Sequence, residues 1–169
     1  DLRDFLCPFM SVSHSMLKQY IARDFGINPE DLGQSTLNAL HELHKAGFDA
    51  YIVGGSVRDL LLDLHPKDFD IATNATPEQV KRVFGRHCQI IGRRFQLAHV
   101  YQERHLLEVA TFRAPHQEHS HLSQTSAQGL IVRDNVWGTI EQDALRRDFS
   151  VNALYYNPQT GLILDFAHG

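Results

Sequence analysis

Apolar positions recur in short blocks along the chain, and their spacing divides it into alternating helical and extended segments. Leu37, Leu40 and Leu43 stripe one side of a helix over residues 35–45, with Ser35 as candidate N-cap and Gly47 as the stop. Residues 48–53 (FDAYIV) form an apolar run of aromatic and β-branched side chains, a strand pattern. Gly54-Gly55-Ser56 interrupts it, and Val57, Leu60, Leu61 and Leu64 then return at helical spacing. Residues 67–73 (KDFDIAT) alternate polar and apolar, which predicts another strand. Thr76-Pro77-Glu78 opens a helix, with Thr76 capping and Pro77 in the first helical position. Residues 95–101 and 105–112 read as two further strands. Ile140, Ala144, Val151 and Leu154 predict a helix over 138–153, and 155–166 read as a hairpin around Asn157-Pro158-Gln159-Thr160-Gly161.

Two regions carry weaker patterns. Within residues 1–33 the spacing predicts a short amphipathic helix over 16–25, ending near Gly26, and a turn at Asn28-Pro29. Residues 114–129 are polar with few apolar anchors and read as a long loop. There are no internal repeats. The expected fold class is α/β or α+β, a small mixed sheet packed on helices.

Composition narrows the class of protein. The chain has 169 residues, enough for one domain with a sizeable core. Its 16 Lys and Arg against 20 Asp and Glu leave a net charge of −4, so any contact with a polyanion must be local. No stretch approaches the ~20 apolar residues of a membrane-spanning helix, and acids among the first residues, without a small-residue cleavage pattern, do not lead one to expect a secretory signal. Two cysteines, Cys7 and Cys88, make no disulfide framework, and a reducing cytoplasm is the simplest setting. The chain opens on Asp1 and closes on Ala167-His168-Gly169 without a closing helical pattern, and reads as part of something longer.

Chemistry concentrates in two places. Gly54, Gly55, Ser56 and Arg58 stand between a strand and a helix, where glycines let backbone approach an anion and helix N–H groups point at it. A tight strand-to-helix turn with a surface arginine explains the same residues, and neither dinucleotide nor P-loop spacing is matched. Asp68 and Asp70 are two apart on a strand, so both carboxylates project from one face while Phe69 enters the core. Adjacent carboxylates repel unless a cation lies between them, and Mg²⁺ favours carboxylate oxygens together with substrate phosphates. A lone Asp-x-Asp is also a common solvated strand edge. Its position just beyond a glycine turn suits nucleotidyl transfer, in which metal ions serve the attacking hydroxyl and the departing pyrophosphate.

The motifs then show a specific resemblance. Gly55-Ser56, an eleven-residue spacer and Asp68-Phe69-Asp70-Ile71 resemble the signature of the polymerase-β nucleotidyltransferase superfamily. YIVGGSVRDLLLDLHPKDFDIATNATPEQV (51–80), LLEVATFR (106–113) and ALRRDFSVNALYY (144–156) are similar to the head domain of class II tRNA nucleotidyltransferases and bacterial poly(A) polymerases. IIGRRFQLAHV (90–100) and RDNVWGTIEQDALRRDF (133–149) resemble the poly(A) polymerase branch. The resemblance covers residues 34–169, with residues 1–33 left as an N-terminal extension.

This resemblance implies a polymerase-β-like head and template-independent transfer of AMP from ATP to RNA 3′ ends. It makes Asp68 and Asp70 the carboxylates that hold two Mg²⁺ ions, and Gly54, Gly55, Ser56 and Arg58 the triphosphate turn. Arg147 contacts nucleotide and Asp148 belongs to the active site; Glu108 is a second candidate for the third acid, ranked slightly behind Asp148. A CCA-adding enzyme shares the same head and is the nearest alternative, and a non-catalytic nucleotide- or RNA-binding module is the alternative of another class. The family's base-reading motif lies in a helical region after the head, so base choice and most RNA affinity are expected to reside beyond residue 169. The remaining features read more plainly. Lys81, Arg82, Arg86, Arg93 and Arg94 suit either phosphate contacts or a solvated face. His116, His119 and His121 lack the rigid surroundings of a metal site. Trp137 and Tyr155 read as core or interface aromatics, and Cys88 as an inert thiol.

Overall fold

The structure is a computed structural model that describes residues 17–114, 124–125, 131–133, 137–147 and 150–166. In chain order the elements are β1 (Lys18–Ile21), α1 (Gln34–Lys45), β2 (Ala50–Val53), α2 (Gly55–Leu61), β3 (Asp70–Thr73), α3 (Pro77–Phe84), β4 (Cys88–Ile91), β5 (Leu97–Gln102) and β6 (His105–Thr111). After these come β7 (Gln124–Thr125), β8 (Ile131–Arg133), α4 (Ile140–Leu145), β9 (Leu154–Asn157) and β10 (Leu162–Asp165). Eight strands form one mixed sheet in the order β1-β10-β9-β2-β3-β6-β5-β4, and β7 pairs with β8 separately. Only β3 and β6 run parallel among the described neighbours, joined by a crossover that carries α3.

Strand alternation builds a core on each face. Ile52, Ile71, Val109, Val100, Tyr156 and Ile163 point to one side, where Leu40 and Leu43 of α1, Val57 and Leu60 of α2, and Val80 and Phe84 of α3 cover them. Their neighbours Val53, Ala72, Tyr155 and Leu164 point to the other side and meet Ala144 and Ile140 of α4, with Phe112 and Phe166. Helix α4 covers only part of that second face. Among the described residues Leu106 of β6 and Tyr101 of β5 remain exposed on that face.

Several expected elements form as read. Helix α1 stands within a residue of its expected bounds, although Gly33 takes the N-cap position and Ser35 lies inside the first turn. Thr76 caps α3 with its hydroxyl accepting from the Gln79 N–H, and β9 and β10 form the hairpin. Four expectations need correction. Residues 18–21 are a strand, because the β9–β10 hairpin offers β10 as an open edge, and only a 3₁₀ turn (Ala22–Phe25) follows before Gly26. Strand β3 begins at Asp70, not at 67, because its partner β2 ends at Val53, where the chain turns into α2. Leu64 falls beyond α2 and is exposed. The helix expected over 138–153 ends at Leu145, and a 3₁₀ turn (Ser150–Ala153) leads into β9; Ala144 and Leu154 are both buried, but in cores on opposite faces. Strand β4 escaped notice, since CQII is too short to show a period. Ala22, Ile27 and Leu32 join the main core, so β1 and the turns after it are integral to the fold.

Candidate functional site

One lateral row of residues crosses the second face. Tyr155 of β9 stands opposite Val53 of β2, Val53 opposite Asp70 of β3, Asp70 opposite Glu108 of β6, and Glu108 opposite His99 of β5. Side chains opposite one another in a sheet share a face, so a tyrosine, two carboxylates and an imidazole project together around the small side chain of Val53. Phe69 is buried in the core on the other face, which leaves Asp70 free for the open side. Asp68 lies in the segment just before β3, so the expected pair of acids on one strand face is not formed and Glu108 takes the place beside Asp70; Asp68 acts on Asp70 through its charge. A cavity of about 490 Å³ opens beside Asp68, between the start of α1 and His105 and Leu107 of β6.

The electrostatics of this row follow from that packing. Partial burial pushes the Asp70 carboxyl above its ordinary range, the charges of Glu108 and Asp68 push it further, and Arg147 pulls the other way. Glu108 and Asp68 both act on Asp70, and among the described residues Arg147 is the cation that opposes them, so the arrangement is short of positive charge. Among the described residues no three His, Cys, Asp or Glu side chains gather closely enough to enclose a metal alone. Hard carboxylate oxygens in surplus, open to solvent, fit a divalent ion completed by phosphate oxygens and water.

The glycine turn adjoins this row. Gly54 has φ +84° and ψ −151°, a conformation that side chains rarely adopt, and α2 begins at the next residue. The Ser56 hydroxyl donates to the Val53 carbonyl at 3.3 Å and closes the turn. Arg58 folds back, so a Cβ on Gly55 would stand 3.1 Å from its Nη2, and its guanidinium also pairs with Asp59 at 3.0 Å. A Gly54→Ala variant is expected to lose ~1–3 kcal/mol of stability in urea unfolding, the strain of a positive φ. Gly55→Ala, which only displaces the mobile tip of Arg58, is expected to unfold near the wild-type midpoint.

Arg147 is aimed by a group that sequence reasoning missed. Asp143 is 1% exposed and accepts from Arg147 Nε and Nη2 at 3.2 Å, Arg146 Nη2 at 3.1 Å, the Tyr155 hydroxyl at 2.7 Å and the Arg113 backbone N–H at 3.0 Å. Burial alone would raise the Asp143 carboxyl, but the Tyr155 hydroxyl, the two guanidiniums and the Arg113 N–H more than offset this and hold it below the ordinary range. Burial and the Asp143 charge together raise the Tyr155 phenol. The i,i+3 and i,i+4 spacing of Asp143 to Arg146 and Arg147 was a legible signal; Tyr155 gave none.

The other expected residues sort as follows. Asp148, His116, His119, His121 and Cys7 lie outside the described residues. Lys81 of the basic stretch donates to the Cys88 carbonyl, so that lysine serves the fold. Arg94 lies over the Phe95 ring with Arg113, at 5.2 and 4.7 Å from its centre. Cys88 is buried, which raises its thiol and leaves little thiolate. Among the described residues no helix is long and apolar enough to cross a membrane.

Comparison with known proteins adds the relatives. The family described as Poly A polymerase head domain matches residues 50–169. Poly(A) polymerase I of Haemophilus influenzae is 54% identical over 150 residues, covering 88% of this chain and 33% of its own. A CCA-adding enzyme of Streptococcus agalactiae is 38% identical over 138 residues, covering 80% of this chain and 32% of its own. The crystal structure of the Bacillus stearothermophilus CCA-adding enzyme in complex with CTP superposes with a TM-score of 0.58 at 34% identity, over 82% of this chain and 30% of that one. The chain thus spans about a third of the length of the relatives it matches.

Proposed function

Since the chain belongs to the family of poly(A) polymerase head domains, we propose that it is the catalytic head of an enzyme that transfers AMP from ATP to RNA 3′ ends without a template. The observation that carries this is the row in which Asp70 and Glu108 stand side by side, next to the Gly54 turn and within reach of the Arg147 charge. Residues 34–169 carry the head, and residues 18–32 of the preceding extension complete its sheet and its main core. The reading places the protein in the cytoplasm, with ATP and RNA ends as substrates.

In the reaction the RNA 3′ oxygen forms a bond to the α-phosphorus of ATP as the bond to pyrophosphate breaks. Asp68 and Asp70 supply the oxygens that hold divalent metal, with Glu108 or Asp148 as the third acid. Such metal, when bound, eases loss of the hydroxyl proton and neutralises charge at the α-phosphate. Gly54 and Gly55 bring backbone close to the triphosphate at the start of α2, and Ser56 locks that turn. Arg58 and Arg147 present cations to the phosphates, and Arg147 is held from behind by Asp143 and Tyr155. Positioned charge of this kind is what phosphoryl transfer requires of a protein, since the phosphate supplies the electrophile.

The likeness to a CTP-bound CCA-adding enzyme sustains a second reading as a CCA-adding tRNA nucleotidyltransferase, at lower identity. Incubating the full-length protein with Mg²⁺ and either ATP or CTP, on tRNA and on unstructured RNA, separates the two. Long A tails on both RNAs are the expected result. Incorporation of C confined to tRNA would replace this proposal with the second reading, and Mg²⁺-dependent ATP binding without turnover would leave a non-catalytic module.

A further inference from the structure

We propose that His99 is a positioning residue of this site, which holds the Glu108 carboxylate turned toward Asp70 by donating from Nε2. The inference rests on the nucleotidyl-transfer reading above and deepens it. His99 stands opposite Glu108 in the β5–β6 register, and Glu108 opposite Asp70 in the β6–β3 register, so the three side chains follow one another along a single face. Nε2 of His99 lies 3.6 Å from Oε1 of Glu108. That nitrogen is buried and has no hydrogen-bond partner among the described residues. Buried polar atoms are nearly always satisfied, and the carboxylate oxygen facing Nε2 needs only a small rotation to accept from it.

The two partners differ in freedom, and the difference gives the contact its direction. The His99 side chain is 15% exposed, whereas that of Glu108 is 52% exposed. An imidazole walled into the sheet is a fixed post; an exposed glutamate without one would spread over several rotamers. Glu108 acts at its other side on Asp70, whose carboxyl its charge disturbs. A donor on the far flank of Glu108 therefore decides how often the two acids face a common cation. Carboxylates that serve metal sites are commonly steadied in this way by an outer partner.

The test compares H99L, which keeps bulk without a donor, and H99Q, whose amide can donate from near the Nε2 position, in the full-length protein. H99L is expected to lower kcat for AMP transfer ~10-fold with the ATP KM changed by less than ~2-fold, and H99Q to recover most of that loss. Mn²⁺ binding to the nucleotide-free protein, read by electron paramagnetic resonance, is expected to weaken by about the same factor in H99L. In an E108A background, which removes the acceptor oxygens, H99L should add nothing further, because its partner is already gone. Should H99L fold poorly by circular dichroism, H99A is read through the same cycle. Unchanged kcat and Mn²⁺ affinity in H99L, or a loss that persists undiminished in E108A, overturns the assignment. A D70N control run in parallel distinguishes the failures: an active D70N removes the nucleotidyl-transfer reading itself, whereas an inactive D70N beside an unaffected H99L removes only the role of His99.

Discussion

An Asp70→Asn variant is expected to lose at least ~10³-fold in AMP transfer, the scale seen when a group that manages reacting charge is removed. The same variant is expected to melt slightly higher than wild type when no divalent metal is present. Both results have one cause. Asp70 is partly desolvated and faces the charges of Glu108 and Asp68, with Arg147 offsetting only part of them. The folded protein therefore holds the Asp70 proton more tightly than the unfolded chain does. A carboxyl raised on folding is neutral at no penalty in acid, and its ionisation subtracts stability as pH rises from the unfolded value, ~3.9, through the folded one. At neutral pH the whole penalty is present, and Asn removes it. The gain is modest because Asp70 is open to solvent, at roughly 0.5 kcal/mol or ~1–2 °C. Calorimetry from pH 3.5 to 8 without metal checks the sign: the melting temperature of D70N should draw ahead of wild type as pH rises. An Asp70 variant that transfers AMP normally would remove the carboxylate row from the mechanism.

Asp143→Ala is expected to cause the largest loss of stability, ~3–5 kcal/mol, the effect of removing one partner from a buried ionic cluster. In thermal melts this corresponds to about 6–20 °C for a domain of this size. The loss is large because four groups converge on that one carboxylate, two guanidiniums, a phenol and a backbone N–H, and each would be left without its acceptor. Asp143→Asn, which keeps an acceptor oxygen but no charge, should lose less than the alanine variant. The pH dependence runs opposite to that of Asp70. Asp143 is held below the ordinary carboxylate range on folding, so its contribution is full above ~3.9 and is lost as pH falls through the folded value. The gap between wild type and D143A should therefore narrow in strong acid. Activity separates a supporting role from a passive one: AMP transfer measured well below the D143N melting temperature should still be reduced, because Arg147 loses the charge that holds it and keeps only its contacts with Tyr155.

Local pattern was enough for the parts that depend on neighbours in sequence. The cap of α3 needs only Thr76, Pro77 and Gln79, the break after β2 needs only Gly54, and the turn of the last hairpin needs only Asn157 to Gly161. The outward turn of one acid was legible in the same way, although Asp68, expected beside it on the same strand, falls before β3. Phe69, just before β3, enters the core and Asp70, the strand's first residue, faces the other way, as the alternating pattern had it. The resemblance of the motifs supplied the family, and with it the expectation that the glycine turn and the acids form one site.

What the sequence could not determine is anything set by a partner distant along the chain. Residues 18–21 have a helical pattern, yet they become a strand, because pairing to an open edge at β10 outweighs a weak local preference. The helix expected through residue 153 stops at Leu145 because Ala144 and Leu154 must enter cores on opposite faces, which no single helix allows. Glu108 and Asp70 lie 38 positions apart and His99 a further strand away, and only the parallel β3–β6 register with its antiparallel neighbour β5 sets them in one row. Sequence thus determined which side chains are available and which way each strand turns them. Tertiary structure decided which of them meet, because register between distant strands follows from how two cores close at once and not from any short-range preference.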